Sequence, residues 1–171
     1  MKLFSVKTQL LGTLVASLLA PSFALANNLP VLLSSVPVEL AGSDLIDNSG
    51  TTVTFLAGRV GTASLRISLI NHTDSTCGAG LEWETLRLYT NDNSPITTVV
   101  ATLYRTPLSG TNAGAGLPVA SVTSTDTPVI HVNSVDFTHR FDFCTDAYYI
   151  RVNVTRTSTA ANVNALAVQL L

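Results

Sequence analysis

The chain has 171 residues, with 9 lysines and arginines against 11 aspartates and glutamates, and its formal net charge is −2. Charged residues make up 12% and hydrophobic residues 46% of the chain, which excludes a disordered protein, since disorder requires low hydrophobicity and high net charge. No excess of basic residues supports binding to nucleic acid or to anionic lipid, and we expect neither partner.

The first residues have the features of a secretory signal. Two lysines near the start precede an apolar run over residues 10–20 and a small-residue cleavage pattern at residues 24–26. We therefore predict a cleaved signal peptide over residues 1–26 and a single domain over residues 27–171. No later apolar run approaches the roughly 18 residues that a spanning helix needs. The expected protein is secreted or periplasmic and has no membrane span.

Alternation of apolar and polar residues with a period of two marks short segments along the rest of the chain. Residues 27–35, which contain Pro30, are expected to form a loose arm or an edge strand. The pattern predicts further strands at residues 36–41, 51–57, 63–70, 81–90, 97–105, 117–124, 128–133, 136–143, 148–155 and 161–171. No segment has helical periodicity. Nine or ten strands separated by turns predict an all-β fold, a two-sheet antiparallel β-sandwich of jelly-roll or immunoglobulin-like type with one disulfide.

Residues 134–156 contain the clearest alternation. Aromatic residues and one histidine alternate with polar residues over residues 136–143, and a second alternating segment covers residues 148–155. The short link at residues 144–147 suits a turn. The sequence therefore predicts a hairpin in which these two strands are antiparallel neighbours.

Residues 146–149, Asp-Ala-Tyr-Tyr, resemble the tyrosine corner of immunoglobulin-like sandwiches. The resemblance implies that a tyrosine hydroxyl bonds back to nearby backbone at the start of a strand. Cys144 precedes the two tyrosines, whereas in antibody domains the cysteine follows, so the resemblance is limited to these four residues.

The chain contains two cysteines, Cys77 and Cys144. In an exported protein the redox environment favours disulfides, and only one pairing is possible. We predict a disulfide between Cys77 and Cys144, which the chain-entropy model credits with at most about 4 kcal/mol of stability.

The segment after the first cysteine carries the strongest candidate for ligand binding. Alternation places Trp83, Arg87 and Tyr89 on one strand face, opposite the face that carries Leu86 and Leu88. An aromatic row with an arginine can stack on sugar rings or anchor a protein partner. Alternatively, a bulge could exchange the two faces and bring part of this row into the core.

Two acidic residues of the same segment, Glu82 and Glu84, would project from one face about 6 to 7 Å apart. That separation permits acid–base chemistry on a glycosidic bond. Glycosidases, however, usually place their two carboxylates on different elements across a cleft, so we expect a solvated start of a strand and assign no catalytic residue.

No metal or cofactor is expected. His72 and Asp74 are too few to bind zinc. Asp44, Asp47 and Asn48 lack the spacing of an EF-hand calcium loop and lack its terminal glutamate.

The sequence thus favours binding over catalysis. It predicts an exported, non-catalytic β-sandwich module of surface, matrix or adhesion type, with possible self-association through sheet edges by the arm 27–35. One alternative is a carbohydrate-binding module that uses Trp83, Arg87 and Tyr89 to hold a glycan. A glycoside hydrolase that uses Glu82 or Glu84 is the other alternative.

Overall fold

The computed structural model describes residues 29–33, 42–47, 52–69, 83–127 and 129–171. This part of the chain contains β-strands and no α-helix. The strands, in chain order, are β1 (Leu29–Leu32), β2 (Ile46–Asp47), β3 (Thr54–Phe55), β4 (Gly61–Leu69), β5 (Thr85–Asp92), β6 (Thr97–Pro107), β7 (Leu117–Thr123), β8 (His131–Asp136), β9 (Asp146–Arg156) and β10 (Val163–Leu170).

Eight of these strands form two four-stranded antiparallel sheets. Sheet I has the order β1-β10-β5-β8 and sheet II the order β4-β9-β6-β7, while β2 and β3 form a separate two-stranded sheet. Within the two main sheets as described, only β6 and β7 are adjacent both along the chain and in a sheet. Every other connection among β4 to β10 crosses from one sheet to the other, which is the strand order of a jelly roll. The predicted β-sandwich is confirmed, and of its two predicted types the jelly roll matches.

The core lies between the two sheets because each long strand buries alternate side chains. Sheet II contributes residues such as Leu65, Leu103 and Ile150, and sheet I contributes residues such as Leu88 and Val168, all of them buried. They belong to one continuous hydrophobic cluster. The period-2 alternation in the sequence therefore reports the burial of one strand face, as expected for a sandwich.

The predicted hairpin over residues 134–156 is wrong. Strand β8 ends at Asp136, residues 137–142 are in no strand, and residues 143–145 form a turn. Strand β9 pairs with β4 and β6, whereas β8 pairs with β5 in the other sheet. The alternation in residues 137–143 has a different cause, because Phe141 is fully buried and its aromatic neighbours pack on it. Burial produced the pattern without a ladder of hydrogen bonds.

The contact implied by the tyrosine-corner resemblance is present. The backbone N–H of Asp142 donates to the Tyr148 hydroxyl oxygen at 3.1 Å, so this hydroxyl bonds to backbone just before β9. The surrounding strand order, however, is that of a jelly roll, not of an immunoglobulin-like sandwich.

The arm predicted near the start of the domain contains an edge strand. β1 pairs antiparallel with β10 and lies at the edge of sheet I. The predicted signal over residues 1–26 and the predicted strand 36–41 lie outside the described residues. The predicted strand 128–133 corresponds to β8, which begins three residues later.

The predicted disulfide is only partly within the described residues. No cysteine in the described part of the chain is a free thiol, but Cys77 lies outside that part. No pair is seen, and the bridge between Cys77 and Cys144 stays a prediction. As for membrane insertion, the described residues include no helix of the length and apolarity that a span requires.

Candidate functional site

Trp83 lies just before β5 and is buried. It is 6% exposed, and its ring meets the ring of Phe141 edge to face with centroids 4.8 Å apart. The backbone N–H groups of Glu84 and Thr85 both donate to the carbonyl oxygen of Leu171, at 2.6 and 3.0 Å. Two consecutive residues therefore oppose one residue of the neighbouring segment, which is the pattern of a β-bulge.

This bulge corrects the predicted ligand face. It shifts the alternation by one residue, so that Trp83 points inward while Arg87 and Tyr89 point outward from sheet I. The prediction that these three side chains share a face is wrong for Trp83, for which the alternative holds that a bulge brings part of the row into the core, and it is confirmed for the other two.

Arg87 and Tyr89 lie at the centre of the outer face of sheet I. Arg87 is in register with Ser134 of β8 and Gln169 of β10. The Tyr89 hydroxyl donates to Gln169 Oε1 at 2.7 Å, which fixes the outer end of the ring over β10. Both side chains are half-buried and therefore still partly accessible.

The same row of β5 leads into a groove at one end of the sheet. Glu84, Thr85, Asp136, Phe137 and Thr138 line this groove, which has a volume of about 510 Å³. The Thr85 hydroxyl donates to Asp136 Oδ1 at 2.8 Å, and the Phe137 N–H donates to the Glu84 carbonyl at 2.8 Å. The groove is therefore built on fixed backbone and has two carboxylates at its rim, both on exposed residues.

We use the name sheet I site for this groove together with the outer-face residues Arg87, Tyr89, Ser134 and Gln169. From Thr85 to Tyr89 the strand covers about 14 Å, which is longer than a single sugar ring. Carboxylates lie at one end, a guanidinium is in the middle and a phenol ring is at the other end. The site thus offers hydrogen-bond acceptors, donors and an aromatic surface along one line.

An aromatic cluster, defined as Trp83, Phe137, His139, Phe141, Phe143 and Tyr148, supports the groove from within the sandwich. Phe141 lies at its centre, with ring centroids 4.7 Å from Tyr148 and 5.2 Å from His139. Phe137 belongs both to this cluster and to the groove lining. Rigid packing behind the groove holds its shape.

Two groups of the aromatic cluster have altered pKa values. Partial burial is the main reason that the pKa of His139 is lowered from 6.5, and the nearby charge of Arg105 adds to the effect, while Asp146 opposes it. Burial likewise raises the pKa of the Tyr148 phenol above 10.0. Both shifts favour neutral side chains, which suits a packed aromatic interior.

Of the two acidic residues that were considered as catalytic, the structure describes one. Glu84 is exposed at the rim of the groove, beside Asp136, whereas Glu82 lies outside the described residues. Among the calcium candidates, Asp44 is in a turn, Asp47 is in β2, and Asn48 lies outside the described residues, as do His72 and Asp74. In the described ranges no three histidine, cysteine or acidic side chains come together as a potential metal site.

Sequence reasoning missed Ser134, Asp136 and Gln169 as neighbours of Arg87 and Tyr89. Their contribution depends on which strands flank β5, and strand order cannot be read from alternation. The available signal was the period-2 pattern of β8 and β10, which indicates that these three side chains point outward but does not identify the strand beside them.

No protein-family model and no curated protein sequence matches the chain. Among solved structures, it is similar to the carbohydrate-binding module CBM36 in complex with calcium and xylotriose, at 11% identity over 84% of this chain and 99% of that chain with a TM-score of 0.49. It is also similar to the xylan-binding module CBM15, at 15% identity over 84% and 95% of the two chains with a TM-score of 0.45. A third similar structure is that of infectious bursal disease virus Gx strain, at 11% identity over 84% and 31% with a TM-score of 0.33.

Proposed function

We propose that the protein is a non-catalytic binding module and that it binds a carbohydrate chain at the sheet I site. The observation that carries this proposal is the line of side chains from Tyr89 through Arg87 to the carboxylates of the groove. A sugar presents hydroxyl groups that both donate and accept hydrogen bonds, together with an apolar face of C–H groups. The sheet I site has a counterpart for each of these features.

The carboxylates and the arginine supply complementary hydrogen bonds. Asp136 and Glu84 can accept hydrogen bonds from neighbouring sugar hydroxyls, and the five N–H groups of the Arg87 guanidinium can donate. Hydrogen bonds to a charged partner are stronger than those between neutral groups. Because the site contains both acids and an arginine, it favours a neutral polyhydroxyl ligand over a strongly charged one.

Tyr89 supplies an aromatic surface whose orientation is already fixed. Its bond to Gln169 reduces the side-chain entropy that binding would otherwise remove. Tyrosine offers a large contact area with few rotatable bonds, which is why it is common in binding sites.

Catalysis at the same groove is disfavoured by exposure. A general acid needs a carboxyl group in a setting that is poor in water, and Glu84 and Asp136 are both exposed at an open groove. The hydrolase alternative therefore has less support than binding. It would require that the bound glycan is cleaved and that Glu84→Gln abolishes the cleavage.

The test begins with a glycan array probed with the folded protein, followed by calorimetric titration of the retained glycan. We expect Arg87→Ala and Tyr89→Ala each to weaken binding by roughly tenfold or more, since residues at the centre of an interface carry most of its energy. Arg59→Ala is the matched control, because Arg59 is exposed in the turn before β4, away from the groove. Glycan binding that is unchanged in both site variants, or an array without any retained glycan, would contradict the proposal.

A further inference from the structure

The outer face of sheet II contains a second group of side chains, which we call the cationic tyrosine cluster: Arg66 of β4, Tyr104 of β6, and Tyr149 and Arg151 of β9. The Tyr104 and Tyr149 rings are stacked, with centroids 5.0 Å apart and planes inclined by 13°. The Arg66 guanidinium carbon lies 4.0 Å from the Tyr149 centroid. The Arg151 guanidinium carbon lies 5.9 Å from the Tyr104 centroid and 6.0 Å from that of Tyr149.

The register of sheet II places the two arginines directly opposite each other on neighbouring strands, Arg66 against Arg151. Like charges in this position destabilise a sheet. The outward positions of β4, β6, β7 and β9, all within the described residues, carry no aspartate or glutamate. The outward positions of these described strands thus present two arginines and no acidic side chain, on a chain whose net charge is negative. An arrangement that is unfavourable for folding, such as two facing like charges, is typical of a functional site.

The tyrosine rings fix the arginines in place. Tyr149 points outward but is only 8% exposed, because Arg66 and Tyr104 cover its ring. Gly116 closes the end of the ring, since a Cβ atom there would lie 2.4 Å from the Tyr149 hydroxyl oxygen. Cation–π contact and tight packing thus hold the guanidinium groups before any ligand arrives.

The surroundings of the cationic tyrosine cluster are rich in hydroxyl groups. Ser64 donates to Asn153 Oδ1 at 2.7 Å. Hydroxyl pairs also join neighbouring strands, with Thr102 and Ser121 at 2.9 Å and Thr62 and Thr155 at 3.0 Å. Hydroxyl groups and the Asn153 amide around two arginines match a ligand that has both hydroxyl groups and negative charge.

We propose that the outer face of sheet II binds an acidic polysaccharide, a chain of sugars that carry carboxylate groups. A carboxylate matches the planar fork of a guanidinium group, and the surrounding hydroxyl groups match the sugar ring. A nucleic acid would require more phosphate contacts than two arginines provide, and an anionic membrane would require a larger basic cluster. This inference is independent of the sheet I site, because it concerns other residues on the opposite face of the sandwich.

The test uses a linear oligogalacturonate as the probe and its methyl ester as the matched neutral ligand, both titrated against the folded protein at low ionic strength. We expect the oligogalacturonate to bind, the ester to bind much more weakly, and added salt to weaken the binding. Arg66→Gln and Arg151→Gln should each weaken it by roughly tenfold or more, because each removes a hydrogen bond to a charged group. Arg87→Ala should leave it unchanged.

The melting temperature separates loss of a ligand contact from loss of the fold. Arg66→Gln removes one of two facing like charges but also the cation–π contact with Tyr149, so the two effects oppose each other and the melting temperature should change only slightly. Absence of oligogalacturonate binding, equal binding of acid and ester, or binding that is unchanged in Arg66→Gln would each overturn the inference. Loss of binding in Arg87→Ala would overturn it as well, because it would assign the acidic ligand to the sheet I site.

Discussion

The hydroxyl of Tyr148 connects His139 of the aromatic cluster to the backbone of Asp142. It accepts a hydrogen bond from the Asp142 backbone N–H and lies 3.1 Å from His139 Nε2. Because the oxygen already accepts a bond, its own proton is available for donation to Nε2, provided that this nitrogen is unprotonated. The hydrogen bonding of the segment before β9 therefore favours the neutral form of His139.

We predict that stability falls in acid because His139 becomes protonated. Its pKa in the folded protein is below the ordinary value of 6.5, so at intermediate pH the unfolded chain binds the proton more tightly. The contribution of His139 to stability is complete above pH 6.5 and is lost as the pH falls from 6.5 through the folded pKa. Thermal melts recorded from above neutrality down to about pH 5 should show this loss.

The control for the pH prediction is another histidine. His139→Gln should flatten the dependence of melting temperature on pH over this range, whereas His131→Gln should retain the wild-type dependence, since His131 is exposed on β8. The prediction fails if the His139→Gln protein has the same acid dependence as the wild type.

Strand β5 is fixed to its neighbours at both ends. The bulge at Glu84 and Thr85 fixes its start against Leu171. At its end Asp92 is 1% exposed, and its carboxylate accepts hydrogen bonds from the Thr97 hydroxyl and, at 2.5 Å, from the Ser124 hydroxyl. Asp92 thus links β5 of sheet I to the start of β6 and to the end of β7 in sheet II.

We predict that Asp92→Ala destabilises the fold by about 2–4 kcal/mol, because two hydrogen bonds to a buried carboxylate are lost and the Ser124 hydroxyl is left without its acceptor, while the Thr97 hydroxyl keeps the Ser94 carbonyl oxygen. Chemical denaturation measures this change. Asp126→Ala is the matched control, since Asp126 is exposed in the link that follows β7, and it should have little effect. Equal stability of the two variants would show that Asp92 does not join the sheets energetically.

The strands could be predicted from sequence to a large extent because one buried face produces alternation. Strands β4, β6 and β9 correspond to predicted segments with shifts of a few residues. The sequence allowed a bulge before β5 as an alternative but could not decide for it, because its cause is the Leu171 carbonyl, which is distant in sequence. The same limit explains the hairpin error, since alternation over residues 137–143 reports burial of aromatic side chains and carries no information on pairing.

The candidate sites depended even more on strand order. Arg87 and Tyr89 were predictable as outward residues, but their neighbours Asp136 and Gln169 come from β8 and β10. Likewise, Arg66 and Arg151 are far apart in sequence and meet only because β4 pairs with β9. Sequence alternation gives the face of each residue, and the topology decides which faces become a site.

The two proposed sites face in opposite directions. The sheets of a sandwich pack about 10 Å apart, so one molecule could hold a neutral glycan on sheet I and an acidic one on sheet II. Such a molecule would join two chains without self-association, which fits the matrix role expected from the sequence.

Self-association through a sheet edge stays a proposal, and it concerns β1. In the structure this strand pairs with β10 of its own chain, and the adjacent Leu33 is fully buried in the core. The same segment could add to β10 of a second copy if its own place were open, because an exposed edge offers unpaired N–H and C=O groups. Such an assembly requires that the arm can bind to a molecule of which it is not a covalent part.

We predict that deleting residues 27–33 lowers the melting temperature and that a synthetic peptide of residues 27–35 restores it. The deletion removes Leu33 from the core and uncovers the edge of β10, and the peptide would replace both. A peptide with Leu33→Asp is the matched control and should not restore stability, because it would bury an unpaired charge. Light scattering should in turn show more association of the deletion protein than of the full chain, and less once the peptide is added. If the deletion leaves the melting temperature unchanged, or if both peptides act alike, the arm is not a specific strand donor, and edge-mediated assembly loses its structural basis.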